Sequence, residues 1–141
     1  MNSATQTQTV FFILTLLAGH HYHCQFGFLV DLSILYLDTN SFNGTIPSEL
    51  GRLTKLTRTS LHINSLSGSI PTELGNLQRM SSYFRLYSNQ LSSTLPTQLG
   101  NFVEMRSSFA VFSNKLTGQS AVNYQRTCII SPAPTHTPTS A

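Results

Sequence analysis

Between positions 32 and 118, apolar residues recur with two nested periods. The short period is two. Leu35 with Leu37, Phe84 with Leu86 and Phe109 with Val111 each flank a single residue, a spacing that puts both side chains on one face of an extended strand. Leu61 has Thr59 as its partner, the one polar residue in an inward slot. The long period is set by asparagines three residues beyond each pair: Asn40, Asn64, Asn89 and Asn114, at intervals of 24, 25 and 25 residues. Phe42, Leu66, Leu91 and Leu116 then return to the interior. Gly44, Gly68 and Gly118 follow, offering a backbone that turns with positive φ, with Ser93 in that slot of the third copy. Ile46-Pro47, Ile70-Pro71 and Leu95-Pro96 come next, then Leu50-Gly51, Leu74-Gly75 and Leu99-Gly100. Proline lacks the amide hydrogen that a central strand needs, so it marks a loop or the first turn of a short helix. The glycine is expected to close that turn. Each unit predicts a strand, a turn, a short helical segment and a return.

No unit of this size covers its own leucines. Burial requires neighbours to stack, and the chain is predicted to be an α/β solenoid with a continuous apolar interior. Like parts then stack on like parts, strand beside strand and short helical turn or loop beside its counterpart. Leaving a strand at a sharp corner orphans backbone donors and acceptors, and a buried asparagine carries both kinds of group to meet them. Asn40, Asn64, Asn89 and Asn114 are therefore expected to form a structural ladder.

The repeats occupy residues 30–119, as three full copies and a degenerate fourth in which Ser120-Ala121 replaces Ile-Pro. Residues 1–29 include VFFILTLLAG at 10–19, too short to span a bilayer as a helix. This run reads either as a secretory signal or as a segment that covers the end of the core, and against a signal the first basic side chain in the chain is Arg52. Residues 120–141 include SPAPTHTPTSA, which has no large apolar residue and is expected to be disordered. No membrane span of the chain's own is expected.

The pattern LxxLxLxxNxLxGxIPxxLGxL, complete in its core from Asn64 to Pro71, resembles the plant-type leucine-rich repeat of receptor-like kinase and receptor-like protein ectodomains. The resemblance implies a right-handed curved coil with parallel strands on the concave face and a further short strand from the Leu-x-Gly-x-Ile-Pro part. It implies a non-enzymatic, signalling-related module, secreted or on the extracellular face of the plasma membrane. Its partners would be a protein or peptide ligand, with a co-receptor among them. The paired-cysteine cap of that family is not legible, because Cys24 stands alone, and no kinase motif follows. A truncated receptor-kinase product without independent activity is the alternative.

With 141 residues the chain has room for one domain. Its net charge of +3 comes from eight basic residues spread singly, which argues against nucleic acid. His20, His21, His23 and Cys24 lack the second ligand pair of a structural zinc site, so neither metal nor cofactor is expected. Cys24 and Cys128 lie at opposite ends. The carboxylates Asp31, Asp38, Glu49, Glu73 and Glu104 fall on different repeats, and no Ser, His and Asp constellation is expected to converge. The residues between the inward pairs are Tyr36, Ser60, Arg85 and Ala110, and those just after are Asp38, His62, Tyr87 and Phe112. As exposed columns, Tyr36, Asp38, Ser60, His62, Arg85, Tyr87 and Phe112 are the candidate ligand-binding face, rich in the aromatic and guanidinium groups that anchor interfaces. Strands also favour aromatics for packing alone. Asn43-Gly44-Thr45 is a glycosylation acceptor if the chain enters the secretory pathway.

Overall fold

The structure is a computed structural model and describes residues 31–118. The segment 10–19, the GHHYHC stretch, both cysteines and the Pro/Thr/Ser tail lie outside the described residues. Eight short strands alternate between two sheets: β1 Ile34–Tyr36, β2 Asn43–Thr45, β3 Arg58–Ser60, β4 Ser65–Gly68, β5 Ser82–Arg85, β6 Gln90–Thr94, β7 Ser107–Ala110 and β8 Lys115–Thr117. The odd strands form one parallel sheet in the order β1-β3-β5-β7, and the even strands form a second in the order β2-β4-β6-β8. Each coil thus contributes one strand to the concave sheet and one to a flanking sheet. Three 3-10 turns, Ser48–Arg52, Thr72–Asn76 and Thr97–Asn101, carry the chain back, each led by its proline. Although the fourth copy lacks Ile-Pro, it still supplies β7 and β8.

One hydrophobic core runs through all the coils, from Leu35 and Leu37 to Val111 and Leu116. Phe84 lies at its centre, edge-on to Phe102 at 5.0 Å and stacked on Phe109 at 5.2 Å. Thr59 points into this core in the slot that leucine or phenylalanine fills elsewhere. Among the described residues its hydroxyl has no hydrogen-bond partner.

The asparagines close the corners. The Nδ2 of Asn64 donates to Leu37 O at 3.0 Å in the coil before and to Leu61 O at 3.1 Å in its own, while its Oδ1 accepts from Phe42 N at 3.0 Å. Asn89 repeats this with Leu61 O, Leu86 O and Leu66 N, and Asn114 with Leu86 O, Val111 O and Leu91 N. Asn40 donates to Leu37 O and Asp38 O within its own coil. The amide groups of Asn64, Asn89 and Asn114 each answer backbone groups from two coils, and one left buried and unpaired would cost roughly 1–3 kcal/mol. The residue just before each asparagine, Thr39, Ile63, Ser88 or Ser113, sits in the left-handed region at φ between 51° and 56°. Ser93 adopts φ 73°, close to the 75° of Gly68 in the same slot one coil earlier.

The role of Gly51, Gly75 and Gly100 differs from the helix-closing one expected. None of them has positive φ. A Cβ on Gly51 would lie 2.3 Å from Glu73 O, and one on Gly75 would lie 2.5 Å from Gln98 Cβ. Gly51 and Gly75 are where one 3-10 turn passes against the next, and close stacking of coils is the constraint they meet; Gly100, in the last turn, has nothing within 4 Å among the described residues.

The change from a 24- to a 25-residue interval also has a location. Arg58 pairs with Ser82 and Thr59 with Phe84, so Tyr83 is an extra residue bulged out of β5 at φ 55°. Ser108 holds the same place in β7 at φ 56°, which lets Ser82 pair with Ser107 and Phe84 with Phe109. A bulge re-aims one side chain without disturbing the inward pairs on either side of it.

Candidate functional site: the concave sheet

The register of β1, β3, β5 and β7 sets the outward residues in rows. Tyr36, Ser60, Arg85 and Ala110 are mutual partners along one row. They are not equally exposed: Tyr36 is 51% exposed, but Ser60 only 2% and Ala110 7%. The expected exposure of those two positions does not hold. A short side chain beside larger neighbours lies beneath their surface, and Ser60 is further drawn in by a hydrogen bond it shares with His62 Nδ1 at 2.7 Å.

Asp38, His62, Tyr87 and Phe112 make the next row, and here the rings lie against one another. His62 stacks on Tyr87 with centroids 4.3 Å apart at 23°, and Tyr87 on Phe112 at 4.7 Å and 9°. Asp38 Oδ2 stands 3.9 Å from His62 Nε2. Ser60, His62 and Asp38 do converge, contrary to the expectation that no such set would. Residues two apart on a strand share a face, and the 24-residue register puts Asp38 beside His62. The trio fixes the imidazole rather than activating a nucleophile: Ser60 is buried and bonds Nδ1, while Asp38 lies beyond hydrogen-bond distance of Nε2. The Ser60–His62 hydrogen bond and two ring stacks thus hold one rigid, half-buried shelf.

Tyr83 adds a group the sequence reading did not single out. Bulged from β5, its ring lies beneath two guanidinium groups, with Arg85 Cζ at 4.3 Å and Arg58 Cζ at 5.7 Å from the centroid. Both distances are within cation–π range. Among the described residues no carboxylate lies within ion-pairing distance of either arginine: Asp31 pairs with Lys55, and Asp38 faces His62. The available signal was the extra residue in the 25-residue interval, which says that a strand departs from the pattern but not where.

An open recess of about 870 Å³ lies elsewhere, on the flank between the even strands and the 3-10 turns. Its lining repeats from coil to coil, with Thr45, Thr94, Pro47, Pro71 and Pro96 among it. A surface that repeats its composition offers no convergence of distinct groups, and the concave sheet is the more discriminating face. Among the described residues no three His, Cys, Asp or Glu side chains are grouped to hold a metal ion. No helix of these residues is long and apolar enough to cross a membrane.

Parallel strands on one side, 3-10 turns on the other and an asparagine at every corner define a leucine-rich repeat solenoid. Residues 31–53 match the family model for the leucine-rich repeat, and the coil resembles parts of plant receptor-kinase ectodomains. The ectodomain of the plant membrane receptor kinase GASSHO1/SCHENGEN3 from Arabidopsis thaliana, solved with CASPARIAN STRIP INTEGRITY FACTOR 2, is 30% identical with a TM-score of 0.61, over 70% of this chain and 12% of that one. The Arabidopsis receptor kinase HAESA, solved with the peptide hormone IDA and the co-receptor SERK1, is 37% identical with a TM-score of 0.55, over 64% of this chain and 15% of that one. A plant ice-binding protein is 35% identical with a TM-score of 0.56, over 64% of this chain and 29% of that one. The chain therefore spans a minor part of each. No curated protein matches it by sequence.

Proposed function

We propose that this chain is a non-enzymatic recognition module of plant extracellular signalling that holds an extended peptide or protein segment against the concave sheet. The observation that carries the reading is the ordered row Asp38, His62, Tyr87 and Phe112. Its stacked rings are already fixed, so a ligand meets them with little side-chain entropy left to lose. Two of the similar ectodomains were solved with CASPARIAN STRIP INTEGRITY FACTOR 2 or with the peptide hormone IDA, which supports a peptide or protein as partner. Asn43 is exposed at the start of β2, as a glycosylated side chain in the secretory pathway would have to be.

The test is selection of extended peptides on the full-length chain, followed by affinity measurement on Tyr87→Ala and Phe112→Ala chains. Loss of two central aromatic anchors should weaken the selected peptides by roughly tenfold or more each. Equal affinity for wild-type and both variants would place recognition elsewhere and end the proposal. The reading of a truncated receptor product without independent activity draws on the small share of its relatives that the chain spans. A noncooperative thermal melt would favour it.

A further inference from the structure

The open recess on the flank is built of parallel rows, each repeating once per coil. One edge carries the hydroxyls of Thr45, Ser69 and Thr94, all exposed. The opposite edge carries those of Ser48, Thr72 and Thr97, also exposed. Between the edges the floor is apolar: Pro47, Pro71 and Pro96, each preceded by isoleucine or leucine, are buried or half-buried.

The rows are rigid. The three prolines share one backbone conformation, with φ −67°, −62° and −61° and ψ 133°, 137° and 131°. The first turns stack so closely that a Cβ on Gly51 or Gly75 would collide with the turn after it. Neighbouring strands stand about 4.8 Å apart, so the same set of groups returns at close to that step along the coil axis. The hydroxyls are also available. Those of Thr45, Ser69 and Thr94 make no hydrogen bond among the described residues. Ser48, Thr72 and Thr97 each donate only to the side chain that follows, Glu49 at 3.5 Å, Glu73 at 3.3 Å and Gln98 at 3.4 Å, which leaves the hydroxyl oxygens able to accept.

A groove that repeats selects a ligand that repeats. An apolar floor between two lines of hydroxyls matches a flat ribbon whose faces are apolar and whose edges carry hydroxyls. A β-linked pyranose chain has that form, with ring C–H groups on its faces and equatorial hydroxyls along both edges, and each sugar advances the chain by about one coil. Charge narrows the class further. Glu49 and Glu73 line the recess and no Lys or Arg does, so a polyanion is repelled. We propose that this recess binds an uncharged β-linked glycan, one pyranose unit to a coil. The lining ends with the third coil, where Ser120-Ala121 of the fourth copy replaces Ile-Pro, so the groove holds three units. This site lies on a different face from the concave sheet and goes beyond peptide recognition.

The experiment is an NMR titration of the full-length chain, following the threonine methyl signals with cellobiose, cellotriose, cellohexaose, maltotriose and trigalacturonate. Cellotriose should give saturable shifts at Thr45, Thr72, Thr94 and Thr97 and bind roughly tenfold tighter than cellobiose, the gain of one further coil's hydrogen bonds. Cellohexaose should gain little more, because the floor ends at Pro96. Maltotriose, whose α-linkage curves the chain, and trigalacturonate, which is charged, should each be at least roughly tenfold weaker than cellotriose. Thr72→Val and Thr94→Val remove one hydroxyl each from exposed sites and should each weaken cellotriose by roughly three- to tenfold. Glu49→Gln combined with Glu73→Gln should strengthen trigalacturonate and leave cellotriose unchanged.

No saturable shift with cellotriose, equal affinity for cellotriose and maltotriose, or wild-type affinity in both threonine variants would overturn the groove. Tyr87→Ala and Phe112→Ala chains should bind cellotriose as the wild type does, and a loss in either would move the sugar to the concave sheet and overturn the flank assignment. The peptide reading is tested by those two ring variants with peptides, so each proposal can fail while the other stands.

Discussion

The two sides of the concave sheet follow opposite rules. Inward, the rows Leu35, Thr59, Phe84, Phe109 and Leu37, Leu61, Leu86, Val111 are all buried, and all but Thr59 are apolar. Outward, Tyr36 is followed by Ser60, Arg85 and Ala110, and Asp38 by His62, Tyr87 and Phe112, with no residue type used twice within a row. The same strands carry both sets. Each coil must match its neighbours only where it touches them, so repetition encodes the solenoid and departure from repetition is left to the outward face, where the proposed recognition would lie.

That contrast can be broken from either side. The largest effect belongs to Leu61→Asp, which places an unpaired charge at a site 1% exposed in the middle of the stack. It should cost about 4 kcal/mol or more and abolish the cooperative urea transition. Gly75→Ala comes next: the new methyl would meet Gln98 Cβ and O at 2.5 and 2.6 Å, a loss of about 3 kcal/mol in urea unfolding. Gly100→Ala, with nothing among the described residues within 4 Å, should change stability by less than about 0.5 kcal/mol. A large cost at Gly100 would mean that close stacking is not what these glycines serve.

Thr59→Val restores the inward rule by removing, at nearly constant volume, a buried hydroxyl that has no partner among the described residues. It should raise the urea midpoint, by about 1 kcal/mol in unfolding free energy. A drop would show that the hydroxyl has a role in the core. His62→Ala, one residue after Leu61 but on the other side of the sheet, should cost only about 1 kcal/mol, because it leaves the buried Ser60 hydroxyl without its partner and removes the stack on Tyr87 without opening the core.

The sequence made the inward side legible because its signals are periodic. Leucines two apart and an asparagine every 24 or 25 residues locate the strands, the corners and the ladder before any coordinate is known. Where residues answered to distant neighbours, they were misread. Gly51 and Gly75 look like helix-closing glycines, since nothing local reveals that the next coil passes within 2.3–2.5 Å. Ser60 looks exposed by alternation, yet flanking Tyr36 and Arg85 and the bond to His62 draw it under. The left-handed backbone at Thr39 and Ile63 runs against the preference of β-branched residues, so local propensity pointed away from it. Tyr83 was hidden because an interval of 25 counts an insertion without placing it.

Deleting Tyr83 tests the division of labour most directly. The deletion makes the third coil a 24-residue unit like the one before it, and the register break between β3 and β5 moves to β5 and β7, where Ser108 remains bulged. The number of irregular pairings stays the same, and a strained residue is lost. Urea unfolding of the full-length chain should therefore stay cooperative, with a free energy within about 1 kcal/mol of wild type. A fall of several kcal/mol, or loss of the transition, would show that the extra residue belongs to the coil itself and not to its outward face alone.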